Sequence, residues 1–246
     1  MDGVVSLPGI HEPLSSMSHL AGAIVFAWLA YYLLRPLWNT RAQFFSVLIF
    51  VSSAVVLLAV SATYHMLPAG SLARKIMLNI DHVAIFFLIA GTFTPIHFIA
   101  FKGWERWGVL AVVWAIAIVG SVLRIRFFET ISPTVNAALY LGMGWIGAVT
   151  ACLLWRAGHK DLILFSVMGG LCYSLGAISN AVKWPHLIPG IWGPHETLHF
   201  FVLAGLSFHW AVVARIIHRF ESQNRGFMVD LDETNQEPVS EQQIAA

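Results

Sequence analysis

The sequence predicts an all-α membrane protein, a seven-transmembrane helix bundle. Three observations predict it. Of the 246 residues, 58% are hydrophobic, and the mean hydropathy is +0.73. Only 11% are charged, where soluble domains carry roughly 25%, so the chain has less than half the usual supply for covering a wet surface. Seven apolar runs each reach the length of about 20 helical residues that crosses a bilayer. The lipid bilayer is therefore the first partner. A net charge of +1 and the lack of a basic run argue for no nucleic acid partner.

The runs are read in order as 18–37, 44–67, 77–100, 105–123, 135–155, 162–183 and 195–219. Residues 1–17 form a short N-terminal segment ahead of the domain 18–220. Residues 1–34 hold no Lys or Arg, so the positive region of a signal peptide is missing and span one is expected to stay in the mature protein. Turn formers separate several of the others: Arg35-Pro36, Pro68-Ala69-Gly70, Lys102-Gly103, Ser132-Pro133 and Gly158. Ahead of span seven, WPHLIPGIWGP holds three prolines and two glycines, so it is not helical throughout. Unpaired backbone is costly in hydrocarbon, which makes a packed bundle the architecture for such spans. Gly142, Gly144, Gly147, Gly169, Gly170 and Gly176 are expected to let helices approach closely. After Phe220 the chain turns polar and acidic, and residues 221–246 are expected to be a disordered tail. Cys152 and Cys172 are read as two buried thiols packing as small hydrophobes.

Intramembrane charges are costly and functional by default. Apart from Glu105 at the first position of the fourth run, two acids fall inside the runs, Asp81 and Glu196, each beside a histidine. In an alternating bundle the end of span two and the starts of spans three and seven share one side, which gathers His65, Asp81, His195 and His199 in one layer. His195 and His199 are four apart and share a helix face, which suits two imidazoles reaching one zinc at about 2.0–2.1 Å. With His65 as third ligand, the fourth tetrahedral position stays open for water, as in catalytic zinc sites. Ser61 lies one turn before His65, and Asp81 is placed to orient the water and accept its proton.

Other polar residues get plainer readings. His82 and His97 are read as helix–helix hydrogen bonds. His209 lies about 21 Å along the helix from His195 and is read as an interior polar contact. His19, at the start of span one, is expected on the side opposite the trio, as an interfacial histidine. His195-Glu196-Thr197-Leu198-His199 also matches the HExxH pattern of zinc proteases. Those enzymes take a third ligand from downstream, and here His209 and His218 are too far along the same helix. Glu196 is read as a cap at the helix start, where negative charge is favoured.

SATYHMLP, IDHVAIFFLIAGTFTP and HETLHFFVLAG resemble the signature regions of the hemolysin III proteins, the bacterial branch of the progestin and adiponectin receptor superfamily. HEPLSSMSHLAGA resembles the family's N-terminal motif at Glu12, Ser18, His19 and Gly22, departing at Ser15 where the family often has Asn. The resemblance runs from about residue 12 to 215. It implies that His65, His195 and His199 bind zinc, with Asp81 contacting it through water and Ser61 beside it. It also implies a bacterial inner-membrane location with the N-terminus and zinc near the cytoplasmic face. The loop charges point the other way: nine Lys and Arg flank the far ends of the spans, against five on the zinc side.

Two functions follow as expectations. One is a zinc-dependent hydrolase of a lipid amide or ester, ceramidase-like by resemblance, with Asp81 as base and Ser61 as donor to the oxyanion. The other is a non-enzymatic, receptor-like or membrane-homeostasis protein whose zinc is structural. A pore-forming hemolysin is the weaker reading, because no ring of charges or polar stripe runs along several spans.

Overall fold

A computed structural model describes residues 5–236. The helices are α1 (Pro13–Leu34), α2 (Arg41–Met66), α3 (Leu72–Ala100), α4 (Gly103–Arg126), α5 (Pro133–Gly144), α6 (Gly147–Arg156), α7 (Lys160–Val182) and α8 (Pro194–Gln236). A 3-10 turn, Arg35–Leu37, extends the first. Seven segments are long and apolar enough to span a membrane, the fifth made of α5 and α6 together. Among the described residues there are no strands, only two isolated bridges.

Helix starts are set by caps more than by the apolar runs. Pro13 opens α1 five residues before its run, because proline lacks the amide proton that a first-turn residue cannot use. Ser71 caps α3 by accepting from the Arg74 amide, and Ser132 caps α5 by accepting from Val135. The fifth span breaks at Trp145-Ile146, inside GMGWIG, where one continuous run was expected. Tightened bonds bridge the break, among them Ile146 N to Met143 O at 3.2 Å and Val149 N to Ile146 O at 2.9 Å.

The bundle has two cores. The larger gathers Phe50, Ala54 and Leu58 of α2, Leu88 of α3, and Leu206 and Val213 of α8. Trp210 of α8 bridges Phe26 of α1 and Phe50 of α2, with ring centroids 5.0 and 5.3 Å apart. A second core joins α3, α4 and α5 through Phe86, Ala90, Val113, Ala117 and Met143. In lipid these contacts act by close packing, since burial from lipid gains little over burial from a neighbouring helix.

Several expectations are corrected by packing. Gly176 does admit a neighbour, since a Cβ there would sit 2.8 Å from Phe201 Cβ, and Gly169 leaves room for His209. Gly142, Gly144 and Gly170 face open space, and Gly147 nearly so, so these glycines admit no close helix. Cys172 is buried but Cys152 is exposed on α6, and both are free thiols. Helix α8 continues past Phe220 to Gln236, where a disordered tail was expected. Extending a formed helix costs far less than starting one, and Glu, Gln, Arg and Met extend it readily. Residues 237–246 of that tail lie outside the described residues.

Candidate metal centre

The site forms where α1 and α8 begin and α2 ends. Glu12 and His11 donate backbone amides to the carbonyls of His65 (3.0 Å) and Met66 (3.1 Å), which fixes the start of α1 against the end of α2. The phase of α8 is set by its own cap. Glu196 accepts from the Gly193 amide at 2.9 Å, a capping-box return three residues back, and its other oxygen accepts from Ser15 Oγ of α1 at 2.8 Å. Thr197 Oγ1 donates to Gly193 O at 2.9 Å and accepts from Trp192 Nε1 at 3.1 Å. With both carboxylate oxygens engaged, Glu196 serves the helix start and its junction with α1.

This cap turns His195 and His199 to one face, against His65 of α2. His195 Nε2 lies 3.3 Å from His65 Nε2 and 3.2 Å from His199 Nε2. All three ligand atoms fall within 4.8 Å of one another. Nitrogens around a tetrahedral zinc with bonds of about 2.0–2.1 Å stand about 3.3–3.4 Å apart. Two of the three edges therefore already have metal-site dimensions.

The outer partners decide which ring nitrogens carry protons. His65 Nδ1 donates to Glu12 Oε2, and Arg74 Nη2 holds the other Glu12 oxygen at 2.7 Å. Burial pushes the Glu12 carboxyl up, but its hydrogen bond to His65 and the nearby charge of Arg74 hold it at about 2. Glu12 is thus an acceptor only. His199 Nδ1 donates to the Ser15 carbonyl at 3.2 Å. In the neutral rings both Nε2 atoms are then bare, and both point at His195 Nε2, which can offer one proton at most. At least one contact sets lone pair against lone pair. A cation bound by all three resolves that conflict, and a carboxylate or carbonyl behind a ligating imidazole is the usual support for a metal ligand. The residues fit zinc.

Among the other candidates, Ser61 is buried one turn before His65 on α2. Asp81 of α3 sits beside Ser61, near the His65 turn. His19 corrects an expectation. It stacks on His199, centroids 3.8 Å apart and rings 17° from parallel, in the same layer as the trio. The physical reason is topological: span one begins on the side where span two ends. Neither His19 ring nitrogen makes a well-formed hydrogen bond within the protein.

The remaining histidines lie elsewhere. His82 Nδ1 donates to Leu78 O of its own helix at 2.6 Å, beside Arg124. His97 joins α3 to the Glu105 carbonyl of α4 (2.7 Å) and to Thr150 of α6 (2.9 Å). His209 stacks on Tyr173 of α7, its Nδ1 buried without a partner. Sequence reasoning missed Glu12, Ser15 and Arg74 as supports. Glu12 was visible in the HEP motif, but its partner His65 is 53 positions away, and only the fold joins them.

Fold and site together define a seven-helix membrane protein with a metal-type histidine cluster at one end of the bundle. The family described as Haemolysin-III related matches residues 9–210, and the chain belongs to it. It is similar to Hemolysin-3 of Bacillus cereus, 35% identical over 134 residues, 54% of this chain and 57% of that one. It is likewise similar to the Hemolysin-3 homolog of Bacillus subtilis (strain 168), 33% identical over 62% of this chain and 68% of the relative. The heptahelical transmembrane protein ADIPOR2 of Oryza sativa subsp. japonica is 30% identical over 68% of this chain and 79% of its own length. The chain thus spans little over half of the Bacillus cereus relative in the matched region.

Proposed function

We propose that the protein is a zinc-dependent hydrolase acting on a lipid amide or ester at this site. The observation that carries the reading is the convergence of bare His65 and His199 Nε2 atoms on His195 Nε2. His65, His195 and His199 hold the metal, while Glu12 and the Ser15 carbonyl keep two of the rings turned toward it. Zinc, when bound, supplies a Lewis acid that favours attack by water on a carbonyl. Asp81 accepts the proton that water releases and returns it to the leaving amine or alcohol. Ser61 donates its hydroxyl to the carbonyl oxygen as that oxygen gains charge. The C–N or C–O bond breaks, giving an acid and an amine or alcohol.

A lipid substrate is supported by an apolar cleft of about 420 Å³ between α1 and α8, lined by Gly22, Val25, Phe26, Leu203 and Trp210. Its end at Ser18 and Phe200 adjoins His19 and His199 in sequence. The proposal places the protein in the bacterial inner membrane with the site near the cytoplasmic face. Elemental analysis of purified protein tests the metal: about one zinc per chain, lost in His65→Ala and His199→Ala. Asp81→Asn then tests the chemistry, with zinc retained and turnover of lipid amides and esters falling at least about 100-fold.

A second reading has its own support. The ligands come from α2 and α8, and their outer partners come from α1. A metal there fastens three helices and serves a receptor-like or homeostatic protein without catalysis. Zinc retained in Asp81→Asn, with no turnover by the wild type on any lipid amide or ester, favours this reading.

A further inference from the structure

A second buried polar cluster lies between α3, α4 and α5, at the end of the bundle that holds the histidines. Its centre is Arg124, which is 4% exposed. Nη1 donates to Phe128 O at 2.9 Å, Nη2 stands 3.4 Å from His82 Nδ1, and the guanidinium covers the Phe128 ring. His82 Nδ1 already donates to Leu78, so it offers Arg124 no acceptor of good geometry. Among the described residues no carboxylate pairs with Arg124. An arginine taken out of water without a counter-charge is costly, and such residues in membrane spans mark binding or transport sites.

The neighbouring positions repeat the pattern. Arg124 Nε, Ser121 Oγ, Asn136 Oδ1 and Asn79 Oδ1 are buried polar atoms without a hydrogen-bond partner. Ser121 and Asn136 are 6% and 3% exposed. Helical spacing turns them together. Ser121 is three residues before Arg124 on α4, and Asn79 is three before His82 on α3. Asn136 is four before Tyr140 on α5, whose hydroxyl donates to the His82 carbonyl at 3.2 Å. Each asparagine presents NH2 donors after one flip of its amide. Ser121, Asn79 and Asn136 set three donor groups around one uncompensated cation, and an acceptor-rich anion is the missing partner.

We propose that this cluster binds a phosphate group, supplied by the headgroup of a membrane phospholipid. Arg124 lies two residues from the end of α4 and Asn136 three residues into α5, about 3–5 Å from the helix ends, which is headgroup depth. Basic pockets between membrane helices take phosphate headgroups in this way, and guanidinium groups bind phosphate through paired charge-assisted bonds. The site is independent of zinc and of any hydrolysis.

Native mass spectrometry of delipidated protein given phosphatidylglycerol reads it directly. One tightly held phospholipid per chain is expected, with retention falling about tenfold in Arg124→Gln and in Asn136→Leu. Arg124→Lys retains part of it, and the exposed Arg126→Gln retains all. Inorganic phosphate that displaces the lipid and raises Tm by itself upholds the anion site but makes the free ion its ligand. Equal retention by wild type, Arg124→Gln and Asn136→Leu, each monodisperse and folded, overturns the proposal. Should Arg124→Gln fail to fold, Asn136→Leu and Ser121→Ala decide alone.

Discussion

Glu12 lies just before the first span, yet it ties together most of the first wall of the candidate metal centre. Through its two oxygens it orients His65 and anchors Arg74, whose guanidinium also reaches Leu67 O at 2.7 Å and lies over the Tyr64 ring. Removing a carboxylate behind a ligating histidine typically weakens metal binding 10–100-fold. Glu12→Gln is expected to lower zinc affinity about that much, measured by competition with a chelator of known affinity. The amide keeps the shape and offers His65 a neutral acceptor, so the protein should remain folded. Unchanged affinity would mean that His65 is held by its helix alone. The sequence carried the trio openly, because two ligands share one helix face and the third closes an apolar run. It could not carry Glu12, whose role depends on a partner 53 positions away.

At the scale of elements, the spans were legible because lipid imposes their length. Their ends were less so, since Pro13, Ser71 and Pro194 start helices ahead of the apolar residues. Break points inside a span were hidden too, as at Trp145-Ile146, where hydropathy stays high while the helix changes pitch. Glycines divide in a way that composition does not reveal. A side chain at Gly176 would press on Phe201 and Leu198 of α8, whereas one at Gly142 would meet nothing within 4 Å. Gly176→Val is expected to lower stability by about 1–3 kcal/mol, from overpacking of α7 on α8. Gly142→Ala should be neutral or slightly stabilising, since alanine favours helix. A thermal melt in detergent of the two variants, side by side, checks both.

For the whole molecule, the centre joins the start of α1, the end of α2 and the start of α8. A ligand that binds only the folded bundle stabilises it by mass action, about 2.7 kcal/mol at a hundredfold excess over Kd. Added zinc should therefore raise the Tm of the metal-free protein and leave His199→Ala unmoved. Differential scanning fluorimetry reads this directly, and an equal rise in the variant would place the effect at some other site. The side on which His19 lies was a matter of topology: an even span returns the chain to the face where the first began.

That return has a consequence for how the protein is made. His65 leaves the ribosome 130 residues before His195. Spans three to six must be threaded into the bilayer while the early imidazole and its Glu12 partner wait at the surface. The last helix brings in two of the three candidate ligands, so a chain arrested or clipped before residue 194 carries one of them. If zinc binds as proposed, full metal content requires the complete chain through α8.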